Sequence, residues 1–110
     1  MPEQIDFKAR KAMQVVEWCC DRWNMEPDIK LLLVEYSDID CWGYAERISP
    51  GVFEVAIARN QRLRSFLATV VHEMVHVRQY MTGRWRGDGE REAERLQYLI
   101  VDSLWKRGVI

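Results

Sequence analysis

The chain has 110 residues, enough for one domain with a modest core. Hydrophobic residues make up 48% and charged residues 30%, a balance that excludes a disordered chain. The formal net charge of −1 gives no global field for nucleic acid or an anionic membrane.

From Ile5 to about Met25, apolar residues recur at three- and four-residue steps. Ile5, Ala9, Ala12, Met13, Val16, Cys19, Cys20 and Trp23 form the stripe of a scaffold helix, which Asn24 and Pro27 stop. Ile29 to Tyr36 is short and apolar between turn residues, so it reads as a strand, followed by a loop at 37–40. Residues 42–58 read as a β-hairpin. Trp42, Tyr44 and Ile48 share one side of its first arm, and Phe53, Val55 and Ile57 alternate in the second. Pro50-Gly51 has the order a type II turn wants.

Asn60 is placed to cap a helix running from about Gln61 to Thr82, which Gly83 ends. Its apolar stripe is Leu63, Phe66, Leu67, Val70, Met74, Val77 and Met81. His72 and His76 fall on the opposite face, with Ser65 and Gln79. Residues 83–89 form a glycine-rich loop, and Asp88 is placed to cap a last helix from about Glu90 to Lys106. Ala93, Leu96, Ile100 and Leu104 are its buried stripe. The order is helix, three strands, helix, helix: an α+β domain with a small three-stranded sheet, mixed or antiparallel. The whole of 1–110 reads as this one domain.

The chemistry concentrates in His72-Glu73-Met74-Val75-His76, an H-E-x-x-H run holding both histidines of the chain. On a helix the histidines lie one turn apart on one face, so both imidazoles reach one tetrahedral Zn²⁺ at roughly 2.0–2.1 Å. Glu73 is rotated about 100° from His72, too far round to be an equal ligand. It is placed to act as general base toward a water held by the metal. A catalytic zinc keeps three protein ligands, and no third histidine exists. The acidic cluster Glu90, Glu92 and Glu94 opens the last helix, after a loop able to reverse the chain. A carboxylate from it is the expected third ligand. Periodicity puts Glu90 and Glu92 on opposite flanks of the apolar stripe and Glu94 further out, and rejects none of them. The macrodipole favours acids in a first helical turn even without a metal, by roughly 0.3–1 kcal/mol each.

His72 to His76, the following Val77-Arg78-Gln79-Tyr80, and Glu90-x-Glu92-Ala93 together resemble the small HExxH metallopeptidases called minigluzincins. They are also similar to the short SprT-like and phage-encoded zincin domains. The resemblance covers roughly residues 29–105. It implies a zinc metallopeptidase whose third ligand is a glutamate, and by spacing to Ala93 that residue is Glu90. Glu94 stands where the family has the Asp or Asn that orients a ligand histidine. The third ligand of SprT-like families is more often a histidine, absent here. The resemblance also implies an extended peptide or protein substrate pairing with a sheet edge, for which Val52–Ala58 is the candidate strand.

Tyr80 is considered as an oxyanion stabiliser, with packing as its ordinary role. A non-catalytic zinc-binding interaction domain is one alternative function. A nucleic-acid-associated protein using Arg84, Arg86, Arg91 and Arg95 is another, although a basic cluster in a loop and helix start is ordinarily just solvated. Cys19, Cys20 and Cys41 lack metal or disulfide spacing and read as free thiols. No run is long enough to span a bilayer, and no apolar leader opens the chain. The expectation is a cytoplasmic protein without a membrane partner.

Overall fold

The computed structural model describes residues 2–110, and side-chain surroundings from Phe7 onward. The elements are α1 (Pro2–Arg22), β1 (Asp28–Val34), α2 (Tyr36–Ile39), β2 (Gly43–Ser49), β3 (Val52–Ala58), α3 (Leu63–Thr82) and α4 (Glu90–Lys106). This is the expected α+β layout, with a mixed sheet.

α1 buries Ala12, Val15, Val16 and Cys19, the i, i+3, i+4, i+7 pattern of one helical face. Met13 lies off that face and is exposed, whereas Val15, absent from the expected stripe, is on it. Ile5 lies outside the described side chains. The helix ends in a Schellman motif. Asn24 takes a left-handed φ of 51°, and its N–H and that of Met25 return to Asp21 O and Cys20 O. Met25 then tucks into the core.

The sheet order is β1-β3-β2, with β1 parallel and β2 antiparallel to β3. β3 is therefore central, which corrects its assignment as a sheet edge. The reason is the character of β1. Ile29, Leu31, Leu32, Leu33 and Val34 form a nearly continuous apolar run, which seeks cover and adds to the free side of the β2–β3 hairpin. Phe53, Val55, Ala56, Ile57 and Ala58 are all buried as a result. The edges are β1 and β2. Gly51 has φ 77°, as the Pro-Gly turn requires. The β2–β3 register slips between Arg47 and Ser49, so Ile48 leaves the expected side and is exposed, as is Trp42.

α2 is a single turn where a loop was expected, and it takes Tyr36 from the end of the expected strand. Asp38 Oδ2 accepts a hydrogen bond from Glu35 N, and Asp40 closes the turn with φ 54°. Asn60 does not cap α3. Its Oδ1 accepts from Tyr36 N at 3.0 Å, which ties the end of β3 to α2, and α3 starts later with Arg62 as an N-cap without a side-chain bond.

α3 runs through the middle of the molecule. Phe66, Leu67, Val70, Met74 and Val77 are buried as expected, but Ala68, Val71 and Val75 on other faces are buried too. Met81 at its end is exposed. The face bearing the histidines is thus not a solvated surface. It is one wall of a cleft. In α4, Ala93 and Leu104 are buried, Leu96 and Ile100 are half-buried against the core, and Val101 joins them. Gly89, not Asp88, occupies the α4 N-cap, and Asp88 Oδ1 accepts from Glu90 N at 3.0 Å. Among the described residues no helix is long and apolar enough to cross a membrane, and Cys19, Cys20 and Cys41 are free.

Candidate metal centre

α3 presents His72 and His76 one turn apart, and the loop after Gly83 brings the first residue of α4 against them. Glu90 Oε1 lies 2.9 Å from His72 Nε2, and Glu90 Oε2 lies 2.6 Å from His76 Nε2. The three donor atoms all fall within 4.8 Å of one another. The imidazoles are largely enclosed, with side chains 17% and 14% exposed, while Glu90 is 46% exposed toward the cleft.

The outer imidazole nitrogens define the chemistry of the inner ones. Gln79 is buried, and its Nε2 donates to Gly89 O and to Glu92 Oε1, both at 2.9 Å. Both partners only accept, so the amide orientation is settled and Oε1 must face His76 Nδ1, 2.9 Å away. His76 Nδ1 therefore carries a hydrogen. In the neutral ring, Nε2 then presents a lone pair to a carboxylate oxygen. That pairing is repulsive unless a proton or a metal ion sits between the two. His76 Nε2 is indeed a buried nitrogen without a hydrogen-bond partner, despite the nearby oxygen. His72 Nδ1 lies 2.6 Å from Gln97 Oε1, and its Nε2 lies 2.9 Å from Glu90 Oε1; a hydrogen on either ring nitrogen satisfies one of these contacts. The donor set fits a metal ion. Two imidazoles and a carboxylate suit Zn²⁺ better than Mg²⁺ or Ca²⁺, which prefer oxygen shells.

Glu73 lines the same cleft, and it is only 5% exposed. Burial pushes its carboxyl up to about 7, the charges of His72 and His76 pull it down, and that of Glu90 pushes it up. A carboxyl poised there exchanges protons near neutral pH.

The cleft has two halves, of about 650 and 510 Å³, which share Gly43, His72, Glu73 and Glu90. Gly43 lets β2 lie close on α3. A Cβ there would meet Thr69 Cγ2 at 2.7 Å and Ala56 O at 3.0 Å. Gly89 does the same for Gln79. Its φ is 78°, and a Cβ would run into the Gln79 amide, 2.7 Å from Cδ.

Of the three acidic candidates, the structure sets Glu90 against both histidines. Glu92 binds Gln79 instead. Glu94 lines the larger half of the cleft, and the group on the outer nitrogen of His72 is Gln97, one helical turn further on. Tyr80 packs between Phe53 and Trp85, with ring centroids 5.9 and 5.7 Å away. Arg84, Arg86, Arg91 and Arg95 are all exposed and none lines either half of the cleft. Sequence reasoning missed the roles of Gln79 and Gln97. A signal existed: His72 and Gln79, like Glu90 and Gln97, are seven residues apart, two turns along one face.

Compared with protein-family models, curated proteins and solved structures, the chain finds no match.

Proposed function

We propose that the chain is a zinc-dependent peptidase of the gluzincin type. The observation that carries this reading is the Glu90 carboxylate set between the Nε2 atoms of His72 and His76, with buried Glu73 beside them in an open cleft. His72, His76 and Glu90 hold the ion. When bound, zinc would polarise a scissile carbonyl and lower the pKa of a water to about 7.

Gln79 keeps the hydrogen of His76 on Nδ1, so that its Nε2 lone pair stays turned inward, and Gln97 offers the outer nitrogen of His72 a partner of the same kind. Glu73 accepts the proton of the attacking water and passes it to the leaving amine. β2 supports an extended substrate. It pairs with β3 on one side only, and Gly43, Tyr44 and Ala45 line the cleft beside the histidines. Its free backbone groups offer strand addition, so β2 replaces Val52–Ala58 as the substrate edge. Three free thiols agree with a reducing compartment, and we place the protein in the cytoplasm.

The test is hydrolysis of a denatured protein substrate by wild type and Glu73→Gln, with zinc content measured on both. General-base catalysis is worth about 10²–10⁴-fold. The expected result is equal zinc and at least about a hundredfold loss of hydrolysis in the variant. One zinc per chain with no hydrolysis by wild type would instead identify a non-catalytic zinc domain.

A further inference from the structure

The smaller half of the cleft, about 510 Å³, differs in character from the larger. The larger half carries both signs of charge, Arg62 and Glu94 among them, with amides and hydroxyls. The smaller half is lined by three aromatic rings, Tyr44, Tyr80 and Trp85, and by Asp88. No lysine or arginine lines it. Arg84 and Arg86 flank Trp85 in sequence, yet neither reaches the lining.

The aromatic wall is about half exposed. Tyr80 and Trp85 are 47% and 46% exposed, and they pack on one another. Tyr80 rests its other side on buried Phe53, yet nearly half of Tyr80 and of Trp85 stays exposed beside the site. The Tyr44 hydroxyl donates to Glu54 Oε2 at 2.7 Å, so its edge is committed and the ring remains as the contact surface. Asp88 uses one oxygen on Glu90 N and has the other available. Aromatic faces beside a carboxylate attract a cation on an apolar stem, because the ring quadrupole and the carboxylate favour the charge while the rings cover the methylenes.

We propose that this half of the cleft is a specificity subsite for a lysine or arginine side chain, next to the bond that is cut. This rests on the peptidase reading for the cut, though not for the binding. The substrate class is then basic, extended polypeptide.

Two measurements separate the subsite from the catalysis. The first uses wild-type, zinc-loaded protein and a set of synthetic decapeptides identical except for one position, which is Lys, Arg, Met, Phe or Glu. Mass spectrometry locates the cut. Lys and Arg peptides are expected to be cut next to that position, with kcat/KM at least about tenfold above Met. Asp88→Asn keeps the oxygen that receives Glu90 N, and it should collapse the Lys-to-Met ratio toward one. Trp85→Ala, a change in an exposed loop, should lower the same ratio severalfold.

The second uses Glu73→Gln protein and the same Lys and Met peptides, with binding read by tryptophan fluorescence. Lys is expected to bind several-fold tighter than Met, and Asp88→Asn should remove the difference. Cleavage without any preference for Lys or Arg overturns the subsite and leaves the peptidase standing. Selective binding without cleavage by wild type supports the subsite and overturns the peptidase. Neither selectivity nor cleavage overturns both.

Discussion

Gly89→Ala probes how the loop before α4 supports the site. Two separate costs follow from the structure. Gly89 has φ 78°, and an L side chain in the left-handed region costs about 1–2 kcal/mol. The new Cβ also strikes the Gln79 amide, which is buried and uses all of Oε1 and Nε2 on His76, Gly89 and Glu92. Displacing it leaves buried polar groups without partners, at about 1–3 kcal/mol. Gly87→Ala is the matched control, since Gly87 has φ 60° and nothing within 4 Å of its Cβ position. Urea denaturation of metal-free protein should therefore show a loss of about 1–2 kcal/mol for Gly87→Ala and about 2–5 kcal/mol for Gly89→Ala. In a Gln79→Ala background the overlap is gone, so the excess cost at Gly89 should disappear. Zinc affinity, measured against a competing chelator, should drop about 10–100-fold in Gly89→Ala, the usual effect of losing a group that orients a metal-binding histidine. It should stay near wild type in Gly87→Ala. Equal destabilisation by the two substitutions, with equal zinc affinity, would refute the argument that Gly89 exists to seat Gln79.

Alanine replacements at the three acids test the ligand set. Glu90→Ala should strip the metal, Glu92→Ala should weaken it about 10–100-fold through Gln79, and Glu94→Ala should leave it bound. Loss of zinc from Glu92→Ala with retention in Glu90→Ala would reverse the assignment. His76→Ala should abolish binding of the one zinc expected per chain, and full retention would place the metal elsewhere.

The raised carboxyl of Glu73 predicts a pH effect in metal-free protein. Its value of about 7 exceeds the ordinary 4.5, so between those pH values the folded state holds more protons than the unfolded one. Stability then falls as pH rises through that window, by on the order of 1–3 kcal/mol. Urea midpoints of chelated wild type should drop between pH 5 and pH 8 relative to Glu73→Gln. A constant gap between the two proteins would show that burial does not govern this carboxyl.

Sequence periodicity was sufficient for whatever depends on spacing within one element. His72 and His76 share a face because four residues make about one turn, and the elements α1, β1, β2, β3, α3 and α4 follow from apolar repeats and from Pro27, Pro50-Gly51 and Gly83. Partners between elements were not legible in this way. An apolar stripe says that a face is covered but not by what. Hence β3 reads as a candidate edge from sequence although β1 pairs with it, and the period of α3 does not show which residues of α4 wall its histidine face. The choice among Glu90, Glu92 and Glu94 was open for the same reason. All three occupy the first turns of one helix, and what distinguishes them is the angle at which the 83–89 loop delivers that helix to α3. Gly89, at a left-handed φ and close against Gln79, is the residue through which that loop enters α4. Only the tertiary structure holds that information, because it resides in a contact between residues ten apart across a loop and not in the period of either helix.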